Sequence, residues 1–340
     1  MASDPARIAR KREHLDACAS PLALHAHGAG FEQVRLRHRA LPGRDLADVC
    51  LTTELLGSTL AAPLLVSAMT GGSEASRAVN IELLTAAEEH GAGLILGSSR
   101  ALLDEPTLVG TYLPCSARPP LLLANLGVSH FVNGLVPDDA LVVVDLLGAD
   151  GLALYLNPLQ EAVQLEGEPN LAGAIERIAE IVARLAPLPV LVKEIGFGLA
   201  AADVAELVAA GVAAVDVAGA GGTNWALVEG LRDERARAIA EPFADWGTPT
   251  IDAVRAAVEV AGSTVPVIAS GGVRDGVDAT RALALGATAV GVARPLLLAA
   301  RVGAAADALG VMIEQVRIAT WCVGAPSTSA LGAEHFHLAR

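Results

Sequence analysis

The sequence predicts an α/β fold, a (β/α)8 TIM barrel with an N-terminal extension and a long loop after strand 6. Three observations carry this expectation. Eight short apolar runs, bounded by Pro or Gly, recur at intervals that suit a strand and a returning helix. Each run is apolar throughout rather than alternating, the pattern of parallel strands buried on both faces. Polar and Gly-rich residues gather where each run ends, as at the C-terminal mouth of a barrel. The chain has 340 residues, and one such barrel takes about 250 and tolerates long extensions.

In chain order the runs are PLLVSA (63–68), GLILGSS (93–99), PLLLANL (120–126), GLALYLNP (151–158), PVLVKEI (189–195), AAVDVAGA (213–220), VPVIASGG (265–272) and TAVGVARP (288–295). Stretches of helical composition, such as 174–185 and 202–210, lie between them. An open doubly wound sheet that bound a dinucleotide would carry a GxGxxG turn straight after a strand, and the sequence has none. Residues 1–62 form the extension, expected to pack on a barrel domain of residues 63–340. Residues 221–250 form the long loop, and ordered loops of that length at a barrel mouth usually cover a ligand.

Hydrophobic residues make up 53% of the chain and aromatics only 3%, so the core is to be built from Val, Leu, Ile and Ala. The formal net charge of −14 excludes an overall basic field for nucleic acid or an anionic membrane. An anionic ligand must therefore meet a locally basic site. Cys18, Cys50, Cys115 and Cys322 are far apart and form no CxxC pair, which implies a reducing cytoplasm and no structural zinc. No apolar run of about 18 residues occurs, and the polar start of the chain does not read as a signal peptide.

Four groups of residues carry chemistry. The strings ASGGVRDG (269–276) and GVARP (291–295) end strands 7 and 8, where such barrels grip a phosphate with backbone amides and a helix N-terminus; the bland reading is a pair of tight turns. Lys193 stands in an otherwise apolar strand, where an unpaired ammonium is costly. It must meet an anion or a polar group at the mouth, and an ion pair with Asp216 on the next strand is the structural alternative. LNPLQE (156–161) brings together Asn157, Gln160 and Glu161, hard ligands suited to Mg²⁺ beside a substrate phosphate. Taken alone, the string is an ordinary helix start with Pro158 near the first position. Arg10, Lys11, Arg12 and His14, with Arg35, Arg37, His38 and Arg39, are basic clusters that would ordinarily be solvated surface, yet a diphosphate would need such cations here.

Taken together, the strings RKREH (10–14), VRLRHRALP (34–42), SAMTGG (67–72), GSSR (97–100), ANLG (124–127), LNPLQEAVQ (156–164), VKEIGFG (192–198), DVAGAGGTNWA (216–226), DWGTPT (245–250) and ASGGVRDG (269–276) resemble the type 2, FMN-dependent isopentenyl diphosphate isomerases. The resemblance implies a cytoplasmic homotetramer or homo-octamer that binds FMN across the barrel mouth and a small prenyl diphosphate, with Mg²⁺, and with NADPH as reductant. Ala68, Met69, Thr70, Ser98, Asn125, Lys193 and Thr223 would contact the flavin, and Gly272, Arg274, Ala293 and Arg294 its phosphate. Arg10, Lys11, Arg100, Asn157 and Gln160 would hold the substrate, Glu161 the Mg²⁺, and Tyr155, Asn157, Gln160 and Lys193 would be the catalytic set. Two departures stand out. Tyr155 occupies the place of the family's His in HxNxxQE, and Ser99 that of Gln in GSQR, which points to a modified or longer prenyl diphosphate as the alternative substrate. An FMN-dependent 2-hydroxy acid oxidoreductase shares the fold, but it needs a His base at the mouth, and no His occurs between His130 and His335.

Overall fold

The computed structural model describes residues 5–339, with side chains from residue 11 onward. Each apolar run contains one strand of a closed, wholly parallel barrel. The strands are β1 (Leu64–Val66), β2 (Gly93–Ile95), β3 (Leu121–Gly127), β4 (Gly151–Tyr155), β5 (Val190–Lys193), β6 (Ala214–Asp216), β7 (Val267–Ala269) and β8 (Ala289–Val292). They neighbour one another in chain order, and β8 closes on β1 through the pairs Val290↔Leu64 and Val292↔Val66. Helices return between them because the intervening sequence is amphipathic: in Ala174–Leu185 the buried Ile178, Ile181 and Leu185 fall three and four residues apart on one face.

Two clusters make most of the interior of the described residues, and a third, small one joins Val163 and Phe197 to Ala226, Ala236 and Ala240. Outward-facing strand residues and the inner faces of the helices make the largest. The second lies inside the barrel, where Leu65, Ile95, Leu121, Leu123, Ala153, Leu191, Ala214, Ile268 and Ala289 pack together. Its N-terminal end is stopped by the hairpin Thr53–Leu55 and Ser58–Leu60, whose Leu55 and Leu60 join the inner cluster and are almost fully buried. A second short ribbon pairs Val34–Leu36 with Phe336–Leu338, so the two ends of the chain are tied to each other.

Two expectations need adjustment. The helix placed at 202–210 spans Ala201–Ala209. The segment 221–250 is not an open loop: it holds the helices Trp225–Gly230 and Glu234–Ala240. Both begin at a side-chain cap, Asn224 accepting from the Leu227 amide and Asp233 from the Ala236 amide, which is why the chain turns helical there.

Residues 23–29 of the extension run across this segment. The His25 amide donates to Gly222 O at 3.0 Å, Asn224 to Ala23 O at 2.7 Å, Ala26 to Ala244 O at 2.8 Å and Ile251 to Ala29 O at 3.2 Å. No helix among the described residues is long and apolar enough to cross a membrane.

The hairpin plug gives a direct stability test. Leu60→Ala removes a fully buried side chain from the inner cluster and is expected to lower the unfolding free energy by about 2–5 kcal/mol. Thr59→Ala, which removes only an exposed hydrogen bond to Glu54, is expected to cost no more than about 0.5 kcal/mol. Urea unfolding of both variants reads the difference.

Candidate active site

Successive inward positions on a strand are two residues apart. Two residues beyond the apolar layer, toward the C-terminal ends of the strands, stand Ser67, Gly97, Asn125, Tyr155, Lys193, Asp216, Ser270 and Gly291. The barrel lining thus turns from aliphatic to polar or small within one step on every strand. The register puts Gly127 beside Tyr155, Tyr155 beside Lys193, and Lys193 beside Asp216.

Lys193 is buried, and its ammonium donates to Glu194 O at 2.5 Å and lies 3.9 Å from Asp216 Oδ2. The ion pair that the sequence offered as the structural alternative therefore exists in outline. Asp216 is fully buried, and its Oδ1 accepts from Ser270 Oγ at 2.6 Å and the Ala218 amide at 3.2 Å. Burial pushes its carboxyl above the usual range, opposed by Lys193 and these two donors. The neighbouring Glu194 turns its carboxylate onto its own loop, where Oε2 accepts from the amides of Ile195, Gly196 and Phe197 at 2.5–2.6 Å.

Asn157, Gln160 and Glu161 lie at the start of the helix Pro158–Val163, with proline in its first turn. Asn157 Nδ2 donates to Gln160 Oε1 at 3.0 Å and Glu161 Oε1 at 2.8 Å, so one asparagine holds both neighbours. Gln160 Nε2 in turn donates to Glu229 Oε1 at 2.7 Å. Glu229 also meets His14 Nε2 at 3.0 Å and accepts from Arg232 Nη1 at 2.6 Å. Burial disfavours its charge, but the bonds from His14, Gln160 and Arg232 outweigh burial and hold the carboxyl down at about 2. Glu161 Oε2 takes the Glu168 amide at 2.8 Å.

The chain has two tyrosines, and they converge on Ser98: Tyr155 Oη lies 3.2 Å from Ser98 Oγ, and Tyr112 Oη donates to Ser98 O at 2.7 Å. An added Cβ at Gly127 would sit 2.8 Å from the Tyr155 ring, so glycine makes the room for that phenol. Lys11 enters from the helix Pro5–Ala19, donating to Tyr112 Oη at 3.0 Å, to Ser98 O at 3.2 Å and to Gly71 O. Arg10 lies outside the residues whose side chains are described. Arg100 pairs with Asp104 at 3.0 Å and is one-third exposed.

Of the two loops expected to grip a phosphate, the one after β7 packs backbone to backbone against residues 219–222, with Gly271 and Gly272 at φ +100° and +66°, a region that favours glycine. The helix after the first of them offers less than expected, because Asp275 Oδ1 already accepts the amides of Val277 and Asp278, and Gln315 takes that of Gly276. Arg274 is exposed and held bidentately by Asp278 at 2.7 and 3.0 Å. Ala293 begins the helix Arg294–Ala300, and Arg294 donates to Cys18 O and Ala19 O at the end of the first helix. Ala68 and Met69 are partly buried against the cores, Thr70 Oγ1 is bonded to Ser76 Oγ at 2.7 Å, and Thr223 bridges to Leu24.

The model of the FMN-dependent dehydrogenase family matches residues 11–104 and 157–338. An isopentenyl-diphosphate delta-isomerase of Stutzerimonas stutzeri is 45% identical over 332 residues, 95% of each chain. One of Methanothermobacter thermautotrophicus is 44% identical over 294 residues, 86% of this chain and 81% of that one. The chain belongs to the FMN-dependent isopentenyl-diphosphate delta-isomerase family. Among solved structures, flavocytochrome b2 with benzoylformate superposes at TM-score 0.68 with 17% identity, covering 96% of this chain and 82% of that one. Mandelate oxidase with an FMN adduct gives 0.63 at 19% identity, covering 96% and 92%. At that identity the likeness is one of fold.

As in a flavin-binding isomerase of this family, the mouth suits FMN. Ser67 Oγ, Asn125 Oδ1 and Asn157 Oδ1 are buried without a hydrogen-bond partner, although buried polar atoms are normally paired. Three such oxygens at the mouth match a ligand carrying N–H and O–H groups, as the isoalloxazine imide and ribityl chain do. Among the described residues no three His, Cys, Asp or Glu converge as a metal site, so Mg²⁺ would rest on Glu161 and on phosphate oxygens brought by the substrate. Sequence reasoning missed Glu229, His14 as its partner, and Arg232. The cap at Asn224 signals only that a helix begins ahead of Glu229.

The depressed carboxyl of Glu229 sets a pH dependence. Its folded value of about 2 lies below the ordinary 4.5, so its stabilisation is complete above about pH 4.5 and is lost as pH falls toward 2. Wild type is expected to exceed Glu229→Gln in unfolding free energy at pH 7, with the gap narrowing below pH 4.5. Denaturant titrations across that range check this, and a gap unchanged down to about pH 3 contradicts it.

Proposed function

We propose that the protein is an FMN-dependent isomerase that interconverts isopentenyl diphosphate and dimethylallyl diphosphate. The observation that carries this reading is the buried Gln160–Glu229 pair, in a chain 45% identical along nearly its whole length to a relative bearing that name. When bound, reduced FMN, primed by NADPH, would supply the acid and base of the proton transfer.

The chain's own residues do the rest. Ala68, Met69, Thr70, Ser98, Asn125, Lys193 and Thr223 frame the flavin, and Gly272, Arg274, Ala293 and Arg294 its phosphate, Arg274 after leaving Asp278. Lys11 exchanges the neutral acceptors Gly71 O, Ser98 O and Tyr112 Oη for diphosphate oxygens, which are stronger charge-assisted partners. Arg10 and Arg100 add cations, and Glu161 holds Mg²⁺ on the diphosphate. Asn157 fixes Gln160, Gln160 aligns with Glu229, and the ionised Glu229 favours the positive charge that develops when an unactivated alkene is protonated. Anchoring by the remote diphosphate is what keeps the alkene in place in a dry site. The enzyme works in the cytoplasm as a homotetramer or homo-octamer, and the exposed Leu298 and Val311 on adjacent helices, with Val302 in the turn between them, would suit a subunit face.

Purified protein with FMN, NADPH and Mg²⁺ under anaerobic conditions is expected to convert isopentenyl diphosphate to dimethylallyl diphosphate. Gln160→Ala is expected to keep FMN and lose about 10²–10⁴ in kcat, whereas Lys11→Ala raises KM by at least about tenfold, the size of one charged contact. The phenol at Tyr155 favours a second reading, a modified or longer prenyl diphosphate. A reducible yellow protein that turns over such a substrate and not isopentenyl diphosphate would establish that reading instead.

A further inference from the structure

Two carboxylates lie beside Lys193, and they are not equivalent. Glu194 spends its carboxylate on three backbone amides of its own loop and gives the ammonium only a main-chain carbonyl. Asp216 shares the strand register with Lys193, is fully buried, and is the one carboxylate among the eight residues of the polar ring. Ser270 Oγ and the Ala218 amide hold its Oδ1. That grip aims Oδ2, which has no hydrogen-bond partner, toward Lys193 Nζ at 3.9 Å. The gap is too long for a hydrogen bond, so the two charges face each other without closing, and the ammonium keeps donors for the mouth.

We infer that Asp216 is a positioning residue that sets the net charge Lys193 presents to the bound flavin. This rests on the FMN reading above. A buried lysine without a counter-charge would either lose its proton or impose a full positive charge on the ring. Lys193, Ser270 and the Ala218 amide oppose the burial that disfavours the charge on Asp216; ionised, it brings the pair close to neutral, and Ser270 keeps the carboxylate from swinging onto the ammonium. Removing the negative charge leaves the site more positive and favours electron uptake by the flavin.

The test is the two-electron midpoint potential of bound FMN, measured by anaerobic photoreduction against a reference dye. Asp216→Asn, close in shape, is expected to favour reduction at least tenfold, about 30 mV in the positive direction. Lys193→Gln is expected to shift it the opposite way, and the double variant to fall between the two. A merely structural role for Asp216 would not move the potential with sign. An Asp216→Asn enzyme that is loaded with FMN at the wild-type potential overturns the inference. Should Asp216→Asn fail to hold FMN, pairing requires the double variant to regain it, since the uncompensated charge is then gone; failure to regain it overturns the inference too. Titration of wild-type apoprotein with FMN separates the two readings, because absence of binding there defeats the cofactor assignment itself.

Discussion

A lysine ammonium buried at the C-terminal end of the fifth strand is the constraint around which the mouth is arranged. An isolated charge in a low-dielectric interior is expensive, and an aliphatic barrel offers it nothing until the lining changes character. That change occurs in a single step: Leu191 belongs to the apolar layer, and Lys193, two residues on, to the polar one. Asp216 and Ser270 on the following strands answer the charge, while Glu194 stiffens the loop that supplies the carbonyl partner. The rigid apolar layer below, plugged by Leu55 and Leu60, is what lets these groups be held at fixed separations rather than relax onto one another.

Much of this was legible in the sequence, and the reason is burial. Strands covered on both faces must be continuously apolar, so a charge inside such a run is conspicuous, and Lys193 stood out on that ground alone. Asp216 was equally conspicuous within AAVDVAGA, and the two are neighbours because the parallel barrel pairs those strands in register. Asn157, Gln160 and Glu161 were visible as a cluster because they are adjacent in the chain and the helix Pro158–Val163 starts among them.

What was not legible came from long-range contact. Glu229 lies 69 residues from Gln160, on a helix inside a segment whose Gly-rich start and polar composition read as loop. The first-turn caps at Asn224 and Asp233 are local signals, but they say only that helices begin, not which face meets the site. His14 posed the same difficulty: it looked like part of a solvated basic cluster, and only the fold brings its ring to Glu229 and against Trp225, 5.5 Å away edge-on. Arg274 shows the converse. Its Gly-rich context suggested a phosphate, and Asp278, four residues on in the first turn of the following helix, takes its guanidinium through two hydrogen bonds.

The N-terminal segment joins the two halves of the site. The first helix carries Lys11 to Tyr112 and His14 to Glu229, and its last carbonyls accept from Arg294 at the loop after β8. Ala29, further on, packs where side chains at Gly221 or Gly272 would have been, and the amide of His25 bonds to Gly222. A chain so acidic cannot attract a diphosphate by its overall field, so the cations must be local and must be aimed. Fastening the segment that bears them to the glycine loops gives the basic residues and those loops a common frame: Arg294 and residues 23–29 tie the first helix and the strand-6 segment to one side of the mouth.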